Sequence, residues 1–156
     1  MSTPLEVLQA FLAGAFSLDT LAQAVEAHVH EDATYISLNF NNPELEKIEP
    51  WCGTRHGREA YVANFTGVLS QWELTSFEPE MTMQQNENAM IFGKFSLRSR
   101  TLGREVSSPM CAIATVEDEK MTKFIYLEDT LATASTFRAG GEWIISARVG
   151  EPGFAV

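Results

Sequence analysis

Two cysteines in 156 residues, Cys52 and Cys111, are too few for a disulfide framework, and neither sits in a CxxC or zinc-type spacing. Basic residues are also scarce: 11 Lys and Arg stand against 21 Asp and Glu, for a formal net charge of -10. They cluster only at Arg55-His56-Gly57-Arg58, with Lys94, Arg98, Arg100 and Arg104 spaced along later segments. A chain of that sign repels nucleic acid and anionic lipid, so neither is an expected partner. No apolar run approaches the roughly 20 residues of a membrane span. The first residues lack the basic stretch and continuous apolar core of a secretory signal. With two unpaired thiols, the expectation is a cytoplasmic protein. Metal and cofactor motifs are missing too. His28 and His30 do not share a helical face and have no third ligand at a familiar spacing. Gly53-Thr-Arg-His-Gly57 lacks the Gly-Lys-Ser/Thr ending of a phosphate loop. No metal and no cofactor are therefore expected. Cys111 has no sequence-local activator and reads as inert core.

What is present reads as one domain over residues 1–156, with 138–156 as a C-terminal extension. Thr3, Pro4 and Glu6 form a capping box. Leu5, Leu8, Leu12 and Ala15-Phe16 then make one helical stripe. Leu21, Val25 and Val29 make a second, after Gly14 loosens the chain. A strand is predicted over Asp32–Phe40, then a loop over Asn41–Pro50 with Trp51 anchoring its end. A third helix runs from Arg58 to about Gln71, with Tyr61, Phe65, Val68 and Trp72 on its apolar side. Gly67 lies inside it, which implies a close packing contact.

After Trp72 the apolar period changes from helical to two. Leu74–Met83 is a strand interrupted by Pro79, and Ala89–Arg100 a cleaner one with Ala89, Ile91, Gly93, Phe95 and Leu97 on one face. Thr101-Leu102-Gly103 turns the chain into Arg104–Val116, where Pro109 marks an edge or a bulge. The strand from Met121 completes a meander, and Trp143–Val149 is read as one more strand. Helices first and strands after mean an α+β fold: three N-terminal helices on a curved, mostly antiparallel sheet, a cone with a pocket at its wide end.

The Met121 strand carries the main chemical signal. Counted in twos, Met121, Lys123, Ile125, Leu127 and Asp129 share one face and Thr122, Phe124, Tyr126 and Glu128 the other. Asp129 ends an apolar row. It either faces the pocket, where burial would raise its pKa and suit it to proton transfer, or caps the short turn Leu131–Phe137.

Three local patterns resemble the nuclear-transport-factor-two-like superfamily, with its ketosteroid isomerases and SnoaL-like polyketide cyclases. They are His30-Glu-Asp-Ala-Thr-Tyr35 at the first strand, Gly53-Thr-Arg-His-Gly-Arg-Glu-Ala60 at the third helix, and Lys120-Met-Thr-Lys-Phe-Ile-Tyr-Leu-Glu-Asp129 at the last long strand. The resemblance implies the cystatin-like cone, commonly as a sheet-to-sheet homodimer, and an acid/base role for Asp129. It departs from two enzyme types. The Arg-x-Asp pair of the epoxide hydrolases would fall on Gly93 and Phe95. The isomerase base would fall on Ser37.

The resulting expectation is a pocket for a small apolar molecule, lined by Trp51, Ile91, Phe95, Ile125 and Leu127. Asp129 would do isomerase or cyclase chemistry there, with Tyr35 and His56 assisting. The alternative is a non-catalytic binding domain or dimeric scaffold on the same fold. Apolar Met90, Phe92, Phe124 and Tyr126 are assigned to the outer sheet face as a dimer surface.

Overall fold

The computed structural model describes residues 1–156. Helices α1 (Pro4–Ala15) and α2 (Leu18–His28) lead into β1 (Val29–Ser37). The one-turn α3 (Pro43–Glu46) and the short β2 (Gly53–His56) precede α4 (Arg58–Gln71). Four long strands follow: β3 (Trp72–Gln85), β4 (Asn88–Ser99), β5 (Glu105–Glu117) and β6 (Lys120–Glu128). Helix α5 (Thr130–Ser135) comes next, and β7 (Ile144–Ile145) pairs with β8 (Phe154–Ala155). The six-stranded sheet has the order β2-β1-β6-β5-β4-β3. Only β1 and β6 are parallel. The architecture is the expected α+β cone.

Helix α1 begins as its capping box dictates, with Thr3 accepting from the Glu6 N–H and the Glu6 side chain accepting from the Thr3 N–H at 2.7 Å. Its buried stripe, Val7, Leu8, Phe11, Leu12 and Ala15, lies in the sheet's concave core. Phe11 stands edge-on to Tyr61, Phe65 and Phe124, which ties α1, α4 and β6 into one aromatic cluster. Gly67 has the close contact its position implies: a Cβ there would lie 3.0 Å from the Trp51 ring.

Several local expectations need correction. Residues 41–50 are not all loop, because Asn42 accepts from the Glu44 and Leu45 N–H groups and caps α3. Gly53–His56 is an edge strand on β1 rather than a helix approach. The C-terminal strand is only Ile144–Ile145, and it pairs with β8 outside the main sheet. At Pro109 the edge alternative holds and the bulge does not, since Pro109 pairs with Lys94 without a register shift. Its missing N–H is tolerated because β5–β6 pairing begins only at Met110↔Glu128, so β5 is locally an edge there.

The largest correction is the parity of β6. Val116 pairs with Met121 while its neighbour Thr115 pairs with Lys123, so β6 carries an extra residue near Thr122. Beyond that bulge every side chain changes face. Met121 and Phe124 are both fully buried, three positions apart. Phe124 and Tyr126 therefore point into the cone, not outward. Ile125 and Leu127 point out, beside Ile113 and Cys111 of β5 and Met90 and Phe92 of β4.

Candidate acid/base site

The inner ends of β1 and β6 lie side by side, Tyr35 against Phe124 and Ser37 against Tyr126. Two residues on, with the pleat, the Glu128 side chain follows Phe124 and Tyr126 inward. The cone closes around a cavity of about 40 Å³, almost wholly apolar. Tyr35, Ser37, Tyr126 and Glu128 line it from the sheet, Phe65 and Val68 from α4, and the buried Trp51 and Trp72 line it as well. Glu128 is the one carboxyl among the lining residues.

The wall is held by a short hydrogen-bond chain. The Tyr35 hydroxyl donates to Asn64 Oδ1 at 3.0 Å, and Asn64 Nδ2 donates to the Trp51 carbonyl at 2.9 Å. Burial, then Tyr61 close by, pushes the Tyr35 phenol well above its ordinary range. Burial and the Glu128 carboxylate do the same to Tyr126. Both phenols stay protonated at neutral pH and can donate or accept a hydrogen bond without ionising.

A second carboxyl lies behind Glu128. Glu49 follows α3, held by its own N–H on the Leu45 carbonyl at 2.7 Å and by the Cys52 N–H on its carbonyl at 3.0 Å. Its side chain is 0% exposed. Thr133 Oγ1, on α5, lies 2.8 Å from Glu128 Oε1 and 3.2 Å from Glu49 Oε1. Burial, with Glu128 nearby, raises Glu49 to about 8 against the pull of the Thr133 hydrogen bond. Burial raises Glu128 to about 7, with Thr133 opposing and the Asp129 charge adding. At neutral pH this pair therefore holds a proton, which is what an acid/base group needs.

The expected site residues fall into three groups. Tyr35, Trp51 and Phe95 line the cavity. Ile91 is buried in the same core cluster without lining it. Ile125, Leu127 and Asp129 are not in the cavity, because the β6 bulge reverses their parity. Asp129 is exposed and caps α5, its Oδ1 accepting from the Ala132 N–H at 3.1 Å. His56 is exposed on β2, 3.2 Å from the Thr34 hydroxyl and away from the cavity lining. Glu128, Glu49, Thr133 and Asn64 were missed. Glu128 was legible only as the end of the row Phe124, Tyr126, Glu128; Glu49, in a polar loop, gave no periodic signal.

Residues 8–124 match the SnoaL-like domain model, and the chain belongs to that family. It is 41% identical over 109 residues to Patulin synthesis protein F of Aspergillus clavatus, covering 68% of this chain and 55% of that protein. It is 40% identical, with the same coverage, to Patulin biosynthesis cluster protein F of Penicillium expansum. The chain thus spans about half the length of these curated relatives. Among solved structures, an NTF2-like protein from Burkholderia xenovorans LB400 superposes with a TM-score of 0.72 at 24% identity, covering 88% of this chain and 99% of that one. TerC, co-crystallised with polyporic acid, superposes with a TM-score of 0.69 at 20% identity, covering 86% and 98%. These structures share the fold.

Proposed function

We propose that this chain is an acid/base catalyst of small-molecule biosynthesis, of isomerase or cyclase type, with Glu128 in the role expected of Asp129. The observation that carries the reading is a half-buried carboxyl facing an apolar cavity and raised to about 7. In its ionised form Glu128 takes a proton from carbon next to a carbonyl. The Tyr126 hydroxyl donates a hydrogen bond to the oxygen that gains charge. Glu128 then returns the same proton to another carbon, or the carbanion closes a ring and the proton goes to the oxygen it creates. Each route needs only the carboxyl, the hydroxyl and exclusion of water. The names of the two curated relatives support a small, oxygen-rich substrate of secondary metabolism.

One observation favours the alternative of a non-catalytic binding or scaffold domain. A cavity of about 40 Å³ holds about three waters and no metabolite until its wall moves. One experiment separates the two readings. Protein in D2O is incubated with a panel of small cyclic enones and hydroxyquinones, and deuterium uptake at carbon is followed by mass spectrometry. Exchange at least about a hundredfold faster with wild type than with Glu128→Gln supports the catalyst. Equal rates across the panel favour the scaffold.

A homodimer is part of the same proposal. Met90, Phe92, Cys111, Ile113, Ile125 and Leu127 form adjoining apolar rows on the outer sheet face, and Phe92 and Leu127 are 37% and 40% exposed. A second copy of the chain presents the same rows and would cover them.

A further inference from the structure

Glu49 presents a buried carboxyl that the reaction above does not use. It is fully enclosed, and none of the ion pairs in the chain includes it. Its Oε2 is buried without a hydrogen-bond partner. An ionised carboxylate enclosed without a counter-charge is costly, and the group takes up a proton instead. Of the groups facing it, Glu128 on β6 makes ionisation harder still, while the Cys52 thiol, from the chain after α3, is neutral. That thiol is itself raised by burial, then by Glu49 and Glu46, with Arg55 opposing.

The Thr133 hydroxyl adds a counting argument. It has one hydrogen and four acceptors within reach: the two carboxyls, and the Asp129 and Thr130 carbonyls at 3.3 and 3.4 Å. It can donate to one of them. A carboxyl that does not receive that hydrogen bonds to the hydroxyl only if it brings its own proton. The shorter contact, 2.8 Å, goes to Glu128, so the hydroxyl hydrogen belongs there and the acid proton belongs on Glu49.

We infer that Glu49 is a positioning residue for Glu128: a buried acid that keeps a proton and passes it, through the Thr133 hydroxyl, to the Glu128 carboxylate. In that step the Glu49 O–H bond breaks as its proton moves to Thr133 Oγ1. The Thr133 hydrogen moves to Glu128 Oε1. Glu49 ends as a carboxylate, Glu128 as an acid and Thr133 unchanged. The reverse shift restores the pair. Glu128 can thereby exchange its proton with an internal partner as well as with water, and work as base or as acid.

This inference rests on the proposed reaction for the use of the proton, but its test needs no substrate. Carboxyl-13C NMR on glutamate-labelled protein follows Glu49 and Glu128 from pH 4 to 10, in wild type and in Glu128→Gln. The expected result is a Glu49 midpoint near 8 in wild type, lowered by about one unit or more in Glu128→Gln, where the like charge is gone. A Glu49 midpoint in the ordinary carboxyl range in wild type, or one that Glu128→Gln does not move, overturns the inference. The wild-type titration decides on its own should the variant fail to fold. A coupled pair in a protein inactive on the enone panel overturns the reaction and leaves the pair. An active enzyme whose Glu49 titrates as an ordinary carboxyl overturns the role of Glu49 alone.

Discussion

The indole Nε1–H of Trp72 donates to the Thr136 hydroxyl at 2.8 Å, fastening the end of α4 to the residue that ends α5. Phe137 stacks on the same indole at 4.7 Å, and the Ser99 hydroxyl donates to the Thr136 carbonyl at 3.0 Å. Since Thr133 on α5 also holds Glu128, this anchor fixes the helix across the cavity end. Trp72→Phe keeps an aromatic ring but leaves the buried Thr136 hydroxyl without its donor. It should cost about 1–3 kcal/mol, measured by urea unfolding. A loss under about 0.3 kcal/mol would mean that the Trp72–Thr136 hydrogen bond does not hold α5.

Asp129 and Glu128 are adjacent carboxylates with different duties. Asp129→Ala should destabilise by about 1 kcal/mol, through loss of the cap on α5, and Asp129→Asn by a few tenths only. Neither should change deuterium exchange beyond about twofold. A loss of exchange in Asp129→Asn as deep as in Glu128→Gln would restore Asp129 as the acid/base group.

The buried glutamates set a pH dependence of unusual sign. Their folded pKa values, about 8 for Glu49 and about 7 for Glu128, lie above the 4.5 of an unburied glutamate. The native chain therefore holds more protons than the unfolded chain between those limits, and stability falls as pH rises. Their contribution is full below about pH 4.5, declines through 7 and 8, and is flat beyond. Glu49→Gln cannot ionise, so its melting temperature should exceed that of wild type by about 3 °C or more at pH 9, with a smaller gap at pH 5. Scanning calorimetry at the two pH values reads this directly, and a gap independent of pH would contradict it.

The outer face gives a prediction about assembly. Leu127→Glu places a charge amid the apolar rows and away from the cavity, so it should lower dimer affinity at least about tenfold without altering the fold. Sedimentation equilibrium against concentration measures it. A wild-type chain that sediments as a 17.3 kDa monomer at micromolar concentration would remove the dimer from the proposal.

The helices and long strands were legible because their signals are local. Caps such as Thr3 and stripes such as Tyr61, Phe65 and Trp72 do not depend on what the sheet does elsewhere. The candidate site was less legible, for a reason that Thr122 makes concrete. A count in twos along β6 is right only while pairing stays regular, and the bulge is set by partners on β5 and β1. Tyr35, Trp51 and Phe95 line the cavity, none of them lying on the bulged strand. Glu49 could not have been found by pattern, since only the folded chain brings it to Thr133, 84 residues away.

The parallel seam between β1 and β6 also bears on how the chain acquires its shape. The β1–β2 hairpin joins the sheet only through β6, which is made some ninety residues after β1. During synthesis the two early strands have no sheet to join, and the aromatic cluster around Phe124 lacks its centre. The final closing event must bring the two ends of the fold together, a long loop closure that slows assembly. A ribosome-bound chain halted before Lys120 would hold helices, the β3–β5 meander and a β1–β2 hairpin not yet joined to it, with the Tyr35 and Phe65 rings still wet, and would be a better client for a chaperone than the finished protein.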